Sequence, residues 1–95
     1  PFGPLSMLKS FSQFDEAIAE ANRLPFGLAA YVFTRNTTTA MNASDAIESG
    51  VVCINNCQHA FPETPFGGVK DSGLGKEGGS DGIEAFTQYK YVSQT

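Results

Sequence analysis

The chain of 95 residues lacks several features that would mark particular classes of protein. It contains no run of Lys and Arg, and its formal net charge is -4, which argues against nucleic acid and anionic membranes as partners. No apolar run is long enough to span a bilayer, and we expect no signal peptide. These absences predict a cytoplasmic protein that binds neither nucleic acid nor membrane.

Metal ligands and reactive thiols are also scarce. Cys53 and Cys57 are the two cysteines, and His59 is the single histidine. A zinc site needs a second pair of ligands, which the sequence does not offer. Cys53 lies in an apolar run and is expected to be a small buried side chain, and no basic cluster lies nearby to favour a thiolate. The sequence therefore predicts neither a side-chain metal site nor a nucleophilic cysteine.

The composition, with 41% apolar and 17% charged residues, is that of a globular protein. The length allows at most one small domain. Seven of the ten glycines lie between Gly67 and Gly82. This density is typical of a linker, but Phe66, Val69 and Leu74 interrupt it. We therefore predict an ordered, irregular loop that is held against another surface.

Residues 73–78 also fit the pattern G-x-G-x-x-G of dinucleotide-binding loops. That fingerprint requires a strand before it, a long helix after it and an acidic residue about 20 positions further on. No strand pattern precedes Gly73, and too few residues follow for a βαβ unit. We interpret the match as accidental.

The first helix is predicted from an apolar stripe. Ser12 is the expected N-cap, and the acidic pair Asp15 and Glu16 suits the positive end of the helix dipole. Pro25 and Gly27 end the helix. The stripe has helical spacing and consists of Phe14, Ala17, Ile18 and Ala21.

A second helix is expected to begin at Asn36 or Thr37, to turn Ala40, Ala43 and Ile47 inward and to end at Gly50. The remaining apolar runs predict three strands, at residues 5–8, 28–34 and 51–55. The middle run is almost unbroken, as in a strand covered on both faces. Alternating strands and helices with short connections favour parallel pairing, so the predicted fold is α/β, a parallel βαβαβ half of a doubly wound domain.

After Asn55 the regular pattern stops. Residues 56–77 are predicted to form a long irregular connection, and residues 78–85 are predicted to form a short helix. Residues 87–93 alternate like a strand, but no local partner precedes them. This orphan C-terminal strand is expected to pair elsewhere.

Four segments resemble one known family. They are P-F-G-P at residues 1–4, N-x-x-x-[FY]-G-L-[AS]-A-x-V-[FY]-T at 22–34, the strand at 50–55, and P-F-G-G-x-K-x-S-G-x-G-x-E at 65–77. Together they resemble the C-terminal part of an NAD(P)-dependent aldehyde dehydrogenase. The F-P-E-T sequence at residues 61–64 is most similar to bacterial semialdehyde dehydrogenases.

The resemblance implies an enzyme that oxidises a small aldehyde, with a semialdehyde as one option, to a carboxylate with NAD or NADP through a cysteine thioester. Residues 1–85 would be the end of the catalytic domain, and residues 86–95 an oligomerisation strand that forms a dimer or tetramer. The catalytic cysteine, the base and the cofactor domain would lie upstream. The chain is then a fragment, inactive by itself.

The resemblance also implies roles for individual residues, each with a simpler structural alternative. Phe2 and Leu28 would contact the cofactor, or else fill a turn and the core. Phe61 and Phe66 would bind substrate, or else Phe66 would anchor the glycine loop. Related succinate semialdehyde enzymes carry a serine where this chain has Ala60 or Phe61, which argues against carboxylate binding by this loop. Glu77 would relay protons, or merely complement a helix dipole.

A potassium ion could bind the backbone carbonyls of Lys70 and Gly73, since such oxygens suit a hard cation. The Lys70 side chain is otherwise expected to be solvated beside Asp71. Two other functions are open: a free-standing acidic binding or dimerisation domain without catalysis, and a fragment of a dehydrogenase that passes the acyl group to coenzyme A.

Overall fold

The structure is a computed structural model that describes residues 3–95. Phe2, a predicted cofactor contact, lies outside the described residues. The regular elements are α1 (Phe14–Ala21), β1 (Phe26–Gly27), β2 (Ala29–Val32), α2 (Thr37–Ala46), β3 (Val51–Ile54), β4 (Val69–Lys70) and a 3₁₀ helix (Asp81–Phe86).

The centre of the chain is a βαβ unit formed by β2, α2 and β3. The two strands pair in parallel, with Ala29 opposite Val51. Asn36 caps α2, since its side-chain oxygen accepts a hydrogen bond of 2.9 Å from the N–H of Thr39. The predicted parallel pairing is confirmed. Ala43 on α2 is buried as expected, whereas Ala40 and Ile47 are half-buried, and the helix ends at Ala46 rather than at Gly50.

The predicted first strand is absent, so residues 3–95 hold one βαβ unit rather than βαβαβ. Residues 5–8 form no strand, and the side chains of Leu5 and Leu8 are 67% and 95% exposed. The physical reason is that no strand of the described residues lies alongside to accept their backbone hydrogen bonds. Helix α1 begins one residue later than predicted, with Gln13 as N-cap, and the Glu16 carboxylate accepts from the Gln13 N–H at 3.4 Å.

A second, antiparallel pair of strands was not predicted. β1 pairs with β4, with Phe26 opposite Lys70 and Gly27 opposite Val69. The N–H of Gly27 donates to the hydroxyl of Ser72 over 2.8 Å. These contacts attach the glycine-rich loop to the beginning of the βαβ unit.

The C-terminal part differs from its predicted secondary structure. The short helix predicted at residues 78–85 is a 3₁₀ helix displaced to Asp81–Phe86. Residues 87–95 have no assigned strand, and the side chains of Tyr89 and Tyr91 are fully or almost fully exposed. A strand exists only through its pairing, and residues 3–95 supply no partner for this one.

The core of the chain is small. Among the described residues the buried hydrophobic side chains are Ala43 and Cys53, and for Cys53 this confirms the prediction. The chain exposes 8104 Å², where a compact monomer of this size would expose about 5,300 Å². The prediction that residues 28–34 are covered on both faces is wrong, because Leu28 and Phe33 are 45% and 66% exposed. Much apolar surface therefore faces outward.

Two further properties concern the whole described part of the chain. Among residues 3–95, no helix has both the length and the apolar character needed to cross a membrane. Within the same range, no three His, Cys, Asp or Glu side chains gather closely enough to hold a metal ion.

Candidate functional site

The glycine-rich loop folds back on itself as a hairpin. Phe66 and Glu77 form an antiparallel bridge, and each donates its N–H to the other's carbonyl over 2.7 Å. We call residues 66–77 the glycine hairpin. The bridge places two predicted site residues side by side, although they are eleven positions apart in the sequence.

Close backbone approach holds the glycine hairpin to the βαβ unit. A methyl group at Gly50, just before β3, would overlap the carbonyl oxygen of Gly67. Gly68 is buried, and a methyl group there would meet the Ser72 side chain. The N–H of Asp71 donates to the carbonyl of Pro25 over 2.9 Å. Glycine is therefore needed at these contacts for space.

Lys70 is an exposed residue, as the sequence suggested, but its side chain has partners other than Asp71. Its ammonium forms an ion pair with Glu48 and donates to the carbonyl of Asn22 at 3.4 Å, and its side chain is 28% exposed. The backbone of Lys70 is left-handed, with φ of 55°, and Gly73 has φ of 147°. Potassium binding by the carbonyls of these two residues stays a prediction.

A cavity of about 360 Å³ lies against one side of the glycine hairpin. It brings together Leu28, Phe66 and Glu77, which were predicted to contact cofactor, bind substrate and relay protons. The rest of its lining comes from the hairpin and from the end of the 3₁₀ helix, namely Gly67, Ser72, Leu74, Gly75, Lys76, Ala85 and Phe86.

A second cavity of about 290 Å³ lies beside the first. Phe61 lines it together with Phe66 and Glu77. Phe66 and Glu77 thus border both cavities. The four side chains predicted to act in the site within the described range adjoin them, whereas the predicted potassium ligands Lys70 and Gly73 line neither. This arrangement gives an apolar wall next to a carboxylate, which is suited to holding an uncharged organic group near a group that exchanges protons.

His59 was not predicted to have a role, yet it packs directly on this wall. Its ring stacks on Phe66 with centroids 5.3 Å apart, and it meets the ring of Tyr31 edge-on at 6.0 Å. Its Nδ1 lies 3.2 Å from the Tyr31 hydroxyl and 3.2 Å from the carbonyl of Cys57. A carbonyl oxygen only accepts, so we assign a proton to Nδ1 and leave Nε2 for other partners.

The sequence did hold a signal for the contact of His59 with Tyr31. Tyr31 lies towards the end of β2, and His59 follows β3. The carboxyl ends of adjacent parallel strands meet at one edge of a sheet, where ligand sites commonly lie. Both residues could therefore have been placed at that edge.

Lys76 is the second residue that sequence reasoning missed. Its ammonium donates to the carbonyl oxygens of Gly67 and Gly68, over 3.1 and 3.0 Å. It is half-buried and lines the larger cavity. The sequence signal for this role was the position of Lys76 inside a glycine-rich motif. It was missed because a lysine in a loop is more often solvated.

Comparisons with known proteins point to one family. The family model described as "Aldehyde dehydrogenase family" matches residues 1–92. The chain is 45% identical over 92 residues to the 4-(hydroxymethyl)benzenesulfonate dehydrogenase of Comamonas testosteroni, a match that covers 97% of this chain and 19% of that protein. It is also 45% identical over 92 residues to the succinate-semialdehyde dehydrogenase (NADP(+)) of Saccharomyces cerevisiae, with 97% and 18% covered.

A solved structure gives the same result for the fold. The aldehyde dehydrogenase from Brucella melitensis biovar abortus 2308 matches with a TM-score of 0.89 and 47% identity, over 96% of this chain and 19% of that chain. The chain therefore spans about a fifth of the length of the relatives that it matches.

Proposed function

The chain belongs to the aldehyde dehydrogenase family, and on that premise we propose that it is a segment of an enzyme that oxidises an aldehyde to a carboxylate with NAD or NADP. The observation that carries this proposal is the convergence of Leu28, Phe66 and Glu77 on one cavity. Sequence motifs alone single out these three residues. The coverage of a fifth of each relative supports a longer protein.

Each residue has a role in the proposed reaction. Phe66 and Phe61 would form the apolar wall that holds the organic part of the aldehyde and excludes water. Leu28 would contact the cofactor, which would accept the hydride of the aldehyde. Glu77 would take up or pass on a proton when water hydrolyses the thioester.

The nucleophile and the principal base would come from residues outside this chain. A cysteine thiolate would attack the aldehyde carbon, the hydride would leave to NAD(P), and water would release the carboxylate from the thioester and regenerate the thiol. Within residues 3–95, both cysteines are free, but Cys53 is buried and neither lines the two cavities. They are poor candidates for the nucleophile.

The substrate that we propose is a semialdehyde, an aldehyde that also carries an acidic group. The name of the yeast relative refers to succinate semialdehyde, and that of the Comamonas relative to a sulfonate. The imidazole of His59 beside Phe66 offers a polar group at the apolar wall. We further propose a cytoplasmic homodimer or homotetramer that assembles through residues 86–95.

The experiment is to express the full-length protein that carries this chain and to follow NADH and NADPH formation with succinate semialdehyde and with an uncharged aldehyde of equal length. We expect turnover with free carboxylate as product and a preference for the semialdehyde. Acyl-coenzyme A formed only when coenzyme A is added would favour the acylating alternative instead.

The isolated 95-residue chain is the matched control. We expect that it neither oxidises an aldehyde nor binds NAD(P), because no described residue supplies the nucleophile or a long helix N-terminus for the phosphates. Turnover by the isolated chain would contradict the proposed division of roles between this chain and the rest of the enzyme. A reading frame that begins directly before Pro1 would favour a free-standing binding domain.

A further inference from the structure

Lys76 joins the two arms of the glycine hairpin. One arm contains Phe66, Gly67 and Gly68, and the other contains Lys76 and Glu77. The ammonium reaches across to two successive carbonyls, at 3.1 and 3.0 Å. Its two partners directly follow Phe66, and Lys76 itself directly precedes Glu77. The lysine thus links the residues adjacent to both predicted site side chains.

The two carbonyls depend on this ammonium. Gly67 and Gly68 lie outside the paired strands, and among residues 3–95 no backbone N–H donates to either carbonyl. Gly68 is buried and Gly67 is half-buried, so water has limited access to them. A buried acceptor that loses its donor is destabilised, and an ionised donor gives a stronger hydrogen bond than a neutral one.

The hairpin also needs such a tie because of its glycines. Glycine loses more conformational freedom on ordering than any other residue, so this backbone would otherwise sample many arrangements. The Phe66–Glu77 bridge supplies two hydrogen bonds at one end. The stem of Lys76 packs on the opposite arm, where a methyl group at Gly67 would lie 3.0 Å from Cδ of the lysine.

We propose that Lys76 is a positioning residue: beyond the backbone bridge between Phe66 and Glu77, its ammonium holds the two arms of the hairpin together and so keeps both side chains in place at the cavity. Lys76 borders the same cavity, but its ammonium is engaged by two backbone carbonyls, so we assign its effect to these two neighbours rather than to contact with substrate. Misplacement of reacting groups by about 1 Å is enough to cost up to a hundredfold in rate. This inference rests on the proposed function.

The test uses the full-length protein with three variants. Lys76→Met keeps the aliphatic stem and removes the ammonium, Lys76→Arg restores a cationic donor, and Lys9→Met is a charge-matched control on an exposed lysine far along the chain. We expect Lys76→Met to lower kcat for the aldehyde by about 10- to 100-fold. The KM for NAD(P) should change by less than about twofold, because Leu28 borders the same cavity but lies outside the hairpin that the ammonium holds together.

Lys76→Arg should recover most of the loss, and Lys9→Met should match the wild type. A merely structural role would instead lower kcat and cofactor affinity together and would not be rescued by arginine. That pattern, or an unchanged kcat in Lys76→Met, overturns the inference. If Lys76→Met does not fold, Lys76→Gln replaces it, and wild-type kinetics in folded Lys76→Gln overturn the inference equally. Absence of aldehyde oxidation by the wild type would contradict the proposed function instead.

Discussion

The glycine hairpin and residues 87–95 differ in how their backbones find hydrogen-bond partners. The hairpin pairs with itself at Phe66 and Glu77 and through the ammonium of its own Lys76, and it pairs with β1 through β4 and Ser72. Residues 87–95 make one backbone hydrogen bond within the described chain, from the N–H of Thr87 to the carbonyl of Glu84.

The composition of the two segments would suggest the reverse. The hairpin has the glycine content of a linker, whereas residues 87–93 have the alternation and the aromatic content of a strand. Order in the hairpin comes from these hydrogen bonds and from close backbone contacts that glycine permits, as at Gly50 and Gly68. The C-terminal segment has the pattern of a strand, but the described residues form no strand beside it, and its pairing with a partner strand stays a prediction.

The largest expected effect comes from Gly50→Ala, which would break the contact between the hairpin and the βαβ unit. The added methyl group overlaps the backbone carbonyl of Gly67, and backbone atoms cannot move aside as a flexible side chain can. We expect a loss of more than about 3 kcal/mol in stability, seen as a lower Tm and less folded full-length protein.

Gly3→Ala is the control for that experiment, because a methyl group at Gly3 would have no atom of residues 3–95 within 4 Å. It should leave the Tm nearly unchanged. A Gly50→Ala protein as stable as the Gly3→Ala protein would show that the hairpin is not clamped at this point.

Tyr91→Pro tests the other half of the comparison. Proline removes a backbone donor from the C-terminal segment, so a partner strand would lose a ladder hydrogen bond. Tyr91 is 90% exposed in the single chain, and tyrosine is enriched at interfaces. We expect monomers or aggregates of the full-length enzyme in sedimentation, whereas Tyr91→Phe should assemble normally. Normal assembly of the proline variant would mean that this strand is not the oligomer contact.

Phe66→Ala probes what the ordered hairpin is for. Loss of the aromatic wall should lower kcat/KM for the aldehyde by roughly 10- to 200-fold, about 1–3 kcal/mol, because a hydrophobic pocket discriminates by little more than this. Cofactor affinity should change less. If the variant instead loses its fold, Phe66 serves mainly to anchor the hairpin and the stack on His59.

The smallest effect is expected at the opposite end of the chain. Glu20 holds Lys9 of the extended N-terminal segment at 2.8 Å and Arg23 at 3.0 Å. Hydrogen bonds from Lys9 and then from Arg23 lower the pKa of Glu20 below its ordinary value. Both pairs are solvent-exposed, so water and salt screen them and Glu20→Gln should lower the Tm only slightly.

That small difference should depend on pH in a definite direction. A carboxylate whose pKa is depressed in the folded state stabilises the protein above the pKa of the unfolded state, and this contribution is lost as the pH falls through the folded-state pKa. The Tm difference between wild type and Glu20→Gln should therefore be present at neutral pH and vanish in acid. If the Tm difference persisted in acid, it would have a cause other than the ion pairs of Glu20.

Some features of this fold follow from local sequence. The apolar run after Gly27 and the run after Gly50 predict β2 and β3, and their alternation with α2 predicts parallel pairing. Asn36 caps α2 because its short side chain reaches an N–H three residues ahead. Such features depend on neighbours in the chain, so they are visible in the sequence.

The errors concern features that depend on distant partners. Residues 5–8 have a strand-like composition but no neighbouring strand, and the β1–β4 pair joins Gly27 to Val69 across a long separation in sequence. In the sequence, His59 and Lys76 look like ordinary loop residues. The fold stacks His59 on Phe66 and brings the ammonium of Lys76 to two backbone carbonyls. Hydrophobic periodicity and amino-acid composition do not predict these long-range contacts.

The sequence by itself determined the family resemblance, the central βαβ unit and the set of candidate side chains, because motif letters and local periodicity are sufficient for these. Only the tertiary structure decided that Leu28, Phe66 and Glu77 share a cavity and that a lysine ties the hairpin beside them. The physical reason is that a hairpin rich in glycine has little local preference. Its shape is therefore set by close backbone packing and by hydrogen bonds to residues as far away as Gly27, which donates to Ser72.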